Sequence, residues 1–217
     1  MIPRTLFSSD HETFRDTVRK FLENEAVPFN EEWEQQGVVP KDVWLKAGEQ
    51  GFLCPMVSEE YGGIGADFLY SVVINEEISK LGLTGIGWGL HTEIVAPYIE
   101  HNGSEVLKQK YLPKMVTGEM IGAIAMTEPG AGSDLQGVKT TAIKDGDHYV
   151  LNGSKTFITN GQNADIVIVV AKTDPTKGAK GISLFVVETD SEGFEKGKNL
   201  KKVCLLYTSD AADEVQC

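Results

Sequence analysis

Ile121-Gly122-Ala123-Ile124-Ala125-Met126-Thr127-Glu128-Pro129-Gly130-Ala131-Gly132-Ser133-Asp134 is the stretch that decides the fold. Ile121 to Ile124 form an apolar run with the character of a buried strand. The chain then turns through Pro129, Gly130 and Gly132, where glycine permits left-handed backbone angles and close approach of another group. Thr127, Ser133 and the loop amides offer hydrogen-bond donors. No Lys or Arg falls between Met120 and Val138. A ligand here is held by backbone and hydroxyl groups, which suits a large, mostly neutral heteroaromatic cofactor with a phosphate portion. Beyond the loop, Lys139-Thr140-Thr141-Ala142 reads as strand. A dinucleotide site of the Rossmann type needs a helix after its Gly-rich turn. The pocket therefore belongs to a β-domain that takes its ligand by loops.

Outward from this stretch, the two directions differ in period. Toward the C-terminus the period is two, with turn signals about every ten residues. It predicts strands over 120–127, 138–144, 148–152, 155–159, 166–173 and 182–188. Asp145-Gly146 is a tight hairpin signal, and Asn152-Gly153 and Asn160-Gly161 mark further turns. Toward the N-terminus the period is helical. Ser9 to Glu12 has capping-box spacing. Phe14, Val18, Phe21 and Leu22 then share one face, with Arg15, Asp16, Arg19 and Lys20 expected in water. Further helices are expected from Pro40 to Gly51 around Val43, Trp44 and Ala47, and over 67–81 around Val72, Val73, Ile74 and Ile78. Two more are expected over 89–101 and from the N-cap Ser104 to about Gly118. Tyr61-Gly62-Gly63-Ile64-Gly65 is too glycine-rich for a helix. The fold class is α+β: an N-terminal all-α helical domain over 1–118, then an antiparallel β-barrel or sandwich middle domain over 119–203. Residues 204–217 fit neither pattern and are expected to be a non-native tail on a truncated chain.

Charge and cysteine content narrow the partners. The chain has 217 residues and a net charge of -12, which disfavours nucleic acid and anionic membrane surfaces. No run approaches the roughly 20 apolar residues of a membrane span. The first ten residues have neither a signal core nor an Arg-rich transit pattern, so the protein stays where it is made or is a processed mature form. Cys54, Cys204 and Cys217 are too sparse for a disulfide framework. His11, His91, His101 and His148 have no metal-ligand spacing, and all four are read as solvated. No metal is expected.

Two segments carry the chemistry. One is Ile124 to Asp134; the other is Lys155-Thr156-Phe157-Ile158-Thr159-Asn160-Gly161. If adjacent strands join them, Thr127 and Thr159 offer hydroxyls to the polar edge of a ring system, and Phe157 covers its face by stacking. Glu128, beside Pro129, is read as local structure or solvent contact rather than a general base. The adjacent Glu76-Glu77 pair is read as a solvated helix face, because neighbouring helical residues diverge. Read blandly, Phe157 is core filling and Ser133 a turn residue.

With Asn152-Gly153-Ser154-Lys155 and Gly181-Ile182-Ser183-Leu184-Phe185, these segments resemble the acyl-CoA dehydrogenase family over about residues 1–203. Met1-Ile2-Pro3-Arg4 and Phe7-Ser8-Ser9-Asp10-His11 resemble the mature start of its long-chain branch. The resemblance implies non-covalent FAD, bound by Ile124, Ala125, Met126, Thr127, Glu128, Pro129, Gly130, Ala131, Gly132 and Ser133, and by Phe157, Ile158 and Thr159. Thr127 falls at the pyrimidine edge, Thr159 near N5, and Ser133 also at the acyl-CoA substrate. Many members carry Trp where this chain has Phe157, which keeps the stacking surface and loses the indole donor.

The implied reaction is α,β-dehydrogenation of a fatty acyl-CoA to the trans-2-enoyl-CoA, with electrons passed to electron-transferring flavoprotein. The implied assembly is a homotetramer, in bacterial cytoplasm or the mitochondrial matrix. The family's catalytic base lies in a C-terminal helical domain, so no catalytic residue is assigned within this chain. A non-catalytic flavin- or acyl-CoA-binding module and an acyl-CoA oxidase are the alternatives.

Overall fold

A computed structural model describes residues 5–200 and, in backbone alone, residues 208–210. The four-residue start Met1 to Arg4, Cys204, Cys217 and the 204–217 tail apart from 208–210 lie outside the described residues. The chain divides into two compact units, Met1–Glu119 and Met120–Cys217.

The first unit is helical. Helix α1 (Ser9–Glu25) is capped by Ser8, not Ser9. The Ser8 side chain accepts from the His11 amide, and the Ser8 amide donates to His11 Nδ1 at 3.1 Å. The shift has a cause: His11 is buried, its Nε2 3.3 Å from Asp67 Oδ1 and its ring 4.6 Å from that of Tyr70. Val18 and Leu22 are fully buried, and Phe14 and Phe21 pack edge-on against Phe52.

Helix α2 (Asn30–Gln36) gives no apolar period, because Trp33 alone in it is buried. Helix α3 (Lys41–Glu49) starts after Pro40 and buries Val43, Trp44 and Ala47. Helix α4 (Phe68–Lys80) is capped by Asp67, whose side chain accepts from the Leu69 amide, and is stopped by Gly82 at φ +68°. It buries Val73, Ile74 and Ile78, with Val72 half-buried. The helix expected over 89–101 runs as α5 (Trp88–Leu90), a π-helical turn His91–Val95 and α6 (Ala96–Asn102). Helix α7 (Glu105–Val116) has Ser104 as its N-cap.

Four polar assignments need correcting. Arg15 is 6% exposed, not solvated, and Glu77 on α4 is 1% exposed. Arg15 Nη1 lies 2.7 Å from Glu76 Oε2 and 2.9 Å from Glu77 Oε1, while Arg19 Nε lies 2.8 Å from Glu77 Oε2. Lys80 Nζ adds a contact of 2.7 Å to Glu77 Oε1. A charged helix face is solvated only if no neighbouring helix offers partners, and here α4 does. Burial alone pushes the Glu77 carboxyl up, but hydrogen bonds from Arg19, Lys80 and Arg15 outweigh it and lower it to about 2. His91 is also fully buried, with Nε2 3.0 Å from the Met115 carbonyl, and His11 is buried as described; His101 and His148 are exposed.

The second unit is built on a five-stranded sheet. Strands β2 (Thr141–Asp145) and β3 (His148–Asn152) form an antiparallel hairpin through Gly146 at φ +59°. β5 (Ile166–Lys172) pairs antiparallel with β6 (Ile182–Glu188). β1 (Gly122–Ala125) pairs parallel with β5, and Thr141 of β2 sits opposite Lys172 in parallel register. The sheet is therefore mixed rather than wholly antiparallel. Strand direction is not carried by alternation, but β5 is buried at every position from Ile166 to Ala171, as a strand covered on both faces must be. A smaller sheet joins β4 (Ile158–Thr159), β7 (Lys198–Asn199) and β8 (Thr208–Asp210) in the order β4-β8-β7. The core packs Ala123, Ala125, Ala142, Leu151, Ile158, Val167, Val169 and Val187 together.

Candidate functional site

β1 carries the chain out of the core into the loop that follows. The loop closes on itself where the Glu128 amide donates to the Ala131 carbonyl at 3.0 Å and the Ala131 amide to Glu128 at 3.1 Å. This pair of bonds projects Pro129 and Gly130 outward. Pro129, Gly130, Gly132 and Ser133 are exposed, Met126 and Thr127 half-buried, and Glu128 and Ala131 buried. The Asp134 side chain then accepts from the Gln136 amide and starts a short turn, Leu135–Gly137.

The second segment reaches the same place. The Thr156 amide donates to the Thr127 carbonyl at 2.9 Å, and Lys155 Nζ donates to the Met126 carbonyl at 3.1 Å. Both candidate segments are therefore brought together. The strand expected over 155–159 survives only as β4, because Phe157 stands at φ +59°. A left-handed angle breaks a strand, and in a bulky residue it is a strained, uncommon state that concentrates at functional sites. Phe157 is 56% exposed, so core filling is not its role. Thr159 is half-buried beside it. Ala125 and Ile158 instead belong to the unit's own core, and Ile124 is buried as well.

Glu128 is local structure and not a solvent contact. It is 7% exposed, and its carboxylate accepts from Lys139 N (2.6 Å), Thr140 N (2.9 Å), Thr140 Oγ1 and Lys155 Nζ (2.9 Å). Burial alone raises its pKa; the bonds from Thr140, the Lys139 amide and Lys155 outweigh burial and hold it below the usual carboxylate value. Burial also lowers Lys155, by more than Glu128 restores. A carboxylate so fully bonded is a poor general base. Lys155 and Thr140 are the residues that the sequence reading left without a role. The signal was present: a lysine inside a strand-like segment needs a buried partner, and Glu128 is the acid in the facing loop.

The open part of the site fits a flavin. Its donors are hydroxyls and amides, its aromatic wall is Phe157, and Lys155 is turned inward to Glu128. Gly130 and Gly132 have no left-handed angle, and a Cβ added to either would meet nothing within 4 Å. Packing within the chain does not call for glycine at either position.

Comparison with known proteins identifies the family. Residues 8–119 match the acyl-CoA dehydrogenase N-terminal domain, and residues 123–210 match the acyl-CoA dehydrogenase middle domain. The chain belongs to the acyl-CoA dehydrogenase family. It is 51% identical to the long-chain specific acyl-CoA dehydrogenase, mitochondrial, of Sus scrofa, over 93% of this chain and 47% of that protein. The chain thus spans about half the length of the curated relatives it matches. Among solved structures, an acyl-CoA dehydrogenase from Geobacillus kaustophilus superposes with a TM-score of 0.93 at 54% identity, covering 99% of this chain and 57% of that one. A glutaryl-CoA dehydrogenase from Mycobacterium smegmatis in complex with FADH2 superposes with a TM-score of 0.85 at 29% identity, covering 97% and 55%.

Proposed function

We propose that this chain supplies the flavin-facing wall of an FAD-dependent enzyme that dehydrogenates long-chain fatty acyl-CoA thioesters to trans-2-enoyl-CoA. The bond from the Thr156 amide to the Thr127 carbonyl carries the reading, because it sets the two sequence-predicted cofactor segments side by side. When bound, FAD supplies a two-electron acceptor for the hydrogen leaving the β-carbon. In this reading Thr127 bonds the pyrimidine edge, Phe157 covers a ring face and Thr159 sits toward N5. Gly130 and Gly132 let the ring approach the main chain, and Ser133 contacts the thioester. Glu128 does not take the α-proton, because its lone pairs are already engaged.

The long-chain preference rests on the Sus scrofa relative. The same reading includes transfer of electrons to electron-transferring flavoprotein, a homotetramer, and a domain division at 118/119. It also leaves the α-proton to a base outside the flavin loop, because the Glu128 carboxylate is already engaged.

Fluorescence titration of the purified chain with FAD tests the proposal, followed by addition of palmitoyl-CoA or butyryl-CoA while the flavin visible band is watched. The proposal expects saturable FAD binding and a larger spectral change with palmitoyl-CoA. Absence of saturable FAD binding contradicts it. Equal responses to the two thioesters remove the long-chain preference.

A further inference from the structure

We propose that Lys155 is a positioning residue: clamped between the Met126 carbonyl and the Glu128 carboxylate, it fixes the register of the two segments that face the ring site. The inference rests on the flavin reading of that site.

The two segments are tied by consecutive rungs. Lys155 Nζ holds Met126 O at 3.1 Å, and one residue further along each segment the Thr156 amide holds Thr127 O at 2.9 Å. Thr127 and Phe157, which face the ring, are the residues beside these rungs. Lys155 is in turn held by Glu128 at 2.9 Å, and Glu128 by Thr140 and the Lys139 amide.

Gly153 is part of the same device. A Cβ at that position would lie 2.3 Å from Thr140 Oγ1, so glycine is what lets Thr140 come close. The sequence Asn152-Gly153-Ser154-Lys155 thereby acquires a reason: one residue admits Thr140, and another fastens the loop. Lys155 is 5% exposed. Apolar side chains of the same volume often stabilise a core as well as a buried ion pair does, so the contribution proposed for this pair is a fixed register. Sites whose supporting bonds are lost become loose by fractions of an ångström, which costs binding steeply.

The test compares Lys155→Met, Thr140→Val and a control, Val187→Ala, which weakens the same core away from the clamp. All are measured in the full 217-residue chain, well below each variant's Tm. The first readout, amide hydrogen exchange without FAD, expects the Thr156 amide to exchange about tenfold faster or more in Lys155→Met, with little change in Val187→Ala. The second expects the FAD Kd to rise about tenfold or more in Lys155→Met and by a few-fold in Thr140→Val, with loss of fine structure in the flavin band. Val187→Ala is expected to leave both within about twofold.

Unchanged Thr156 exchange in folded Lys155→Met overturns the clamp, as does a loss of FAD affinity no greater than that of Val187→Ala at equal loss of Tm. Should Lys155→Met not fold, Thr140→Val decides by the same two readouts. Failure of the wild-type chain to bind FAD overturns the flavin reading instead, and the exchange measurement then decides the clamp alone.

Discussion

Glu77 in the helical unit and Glu128 in the sheet unit are both nearly sealed from water, at 1% and 7% exposure, yet they are held in different ways. Glu77 sits among Arg15, Arg19 and Lys80, whose long side chains reach it across two helices and along one. Arg19 and Lys80 remain 39% and 55% exposed, so that cluster has a wet rim. Glu128 has one cation, Lys155, which is itself buried, and the rest of its bonds come from Thr140 and the Lys139 amide. The first arrangement fastens two regular elements, α1 and α4, which also bury Val18, Leu22, Val73 and Ile74. The second fastens irregular backbone, for which no ladder or helix supplies order. A buried charge pair is expected to matter more for geometry where regular structure ends.

The largest effect should follow from Lys155→Met. It strands the Glu128 carboxylate in the interior, and thermal or urea unfolding should show a loss of about 3–5 kcal/mol. A loss under 1 kcal/mol would mean that Glu128 finds water or another partner, and would erase the contrast with Glu77.

Glu77→Gln should cost less, about 2–3 kcal/mol at neutral pH, since Glu76 and Glu12 still accept from Arg15. Its pH dependence is the sharper readout. The folded pKa of Glu77 is depressed to about 2. Its stabilisation is therefore complete above the unfolded carboxylate pKa and is lost as pH falls through about 4 toward 2. Urea unfolding from pH 6 to pH 2 should show a steeper acid limb in the wild type than in Glu77→Gln. Parallel limbs would show that Glu77 does not carry the acid response.

The smallest change in stability should come from Phe157→Gly, and its sign is informative. Relief of the left-handed angle should raise stability by about 1 kcal/mol, while FAD affinity falls. A stability loss would make Phe157 a packing residue after all.

Much of this molecule could be read in the sequence, and the failures share a cause. β3, β6, the Asp145-Gly146 hairpin, α3, the start of α4 near Asp67 and the cap at Ser104 follow from local pattern, because each is set by neighbours in the chain. The buried state of Arg15 and Glu77 was hidden, because the partners lie 62 residues apart and a single helix face cannot show them. The parallel pairing of β1 with β5 was hidden for the same reason. At the site, the two segments that the structure brings together stood out by their threonines and glycines. The clamp was not, since Lys155 and Glu128 each look like surface residues until the loop and the second segment are brought together.

The claim that the Thr127 loop and the Phe157 segment form one flavin site is tested most directly by amide NMR of the labelled chain during FAD titration. The account predicts that the largest shifts fall within residues 125–133 and 156–160, rising together along one saturation curve. Shifts confined to other residues, or separate curves for the two segments, would contradict it.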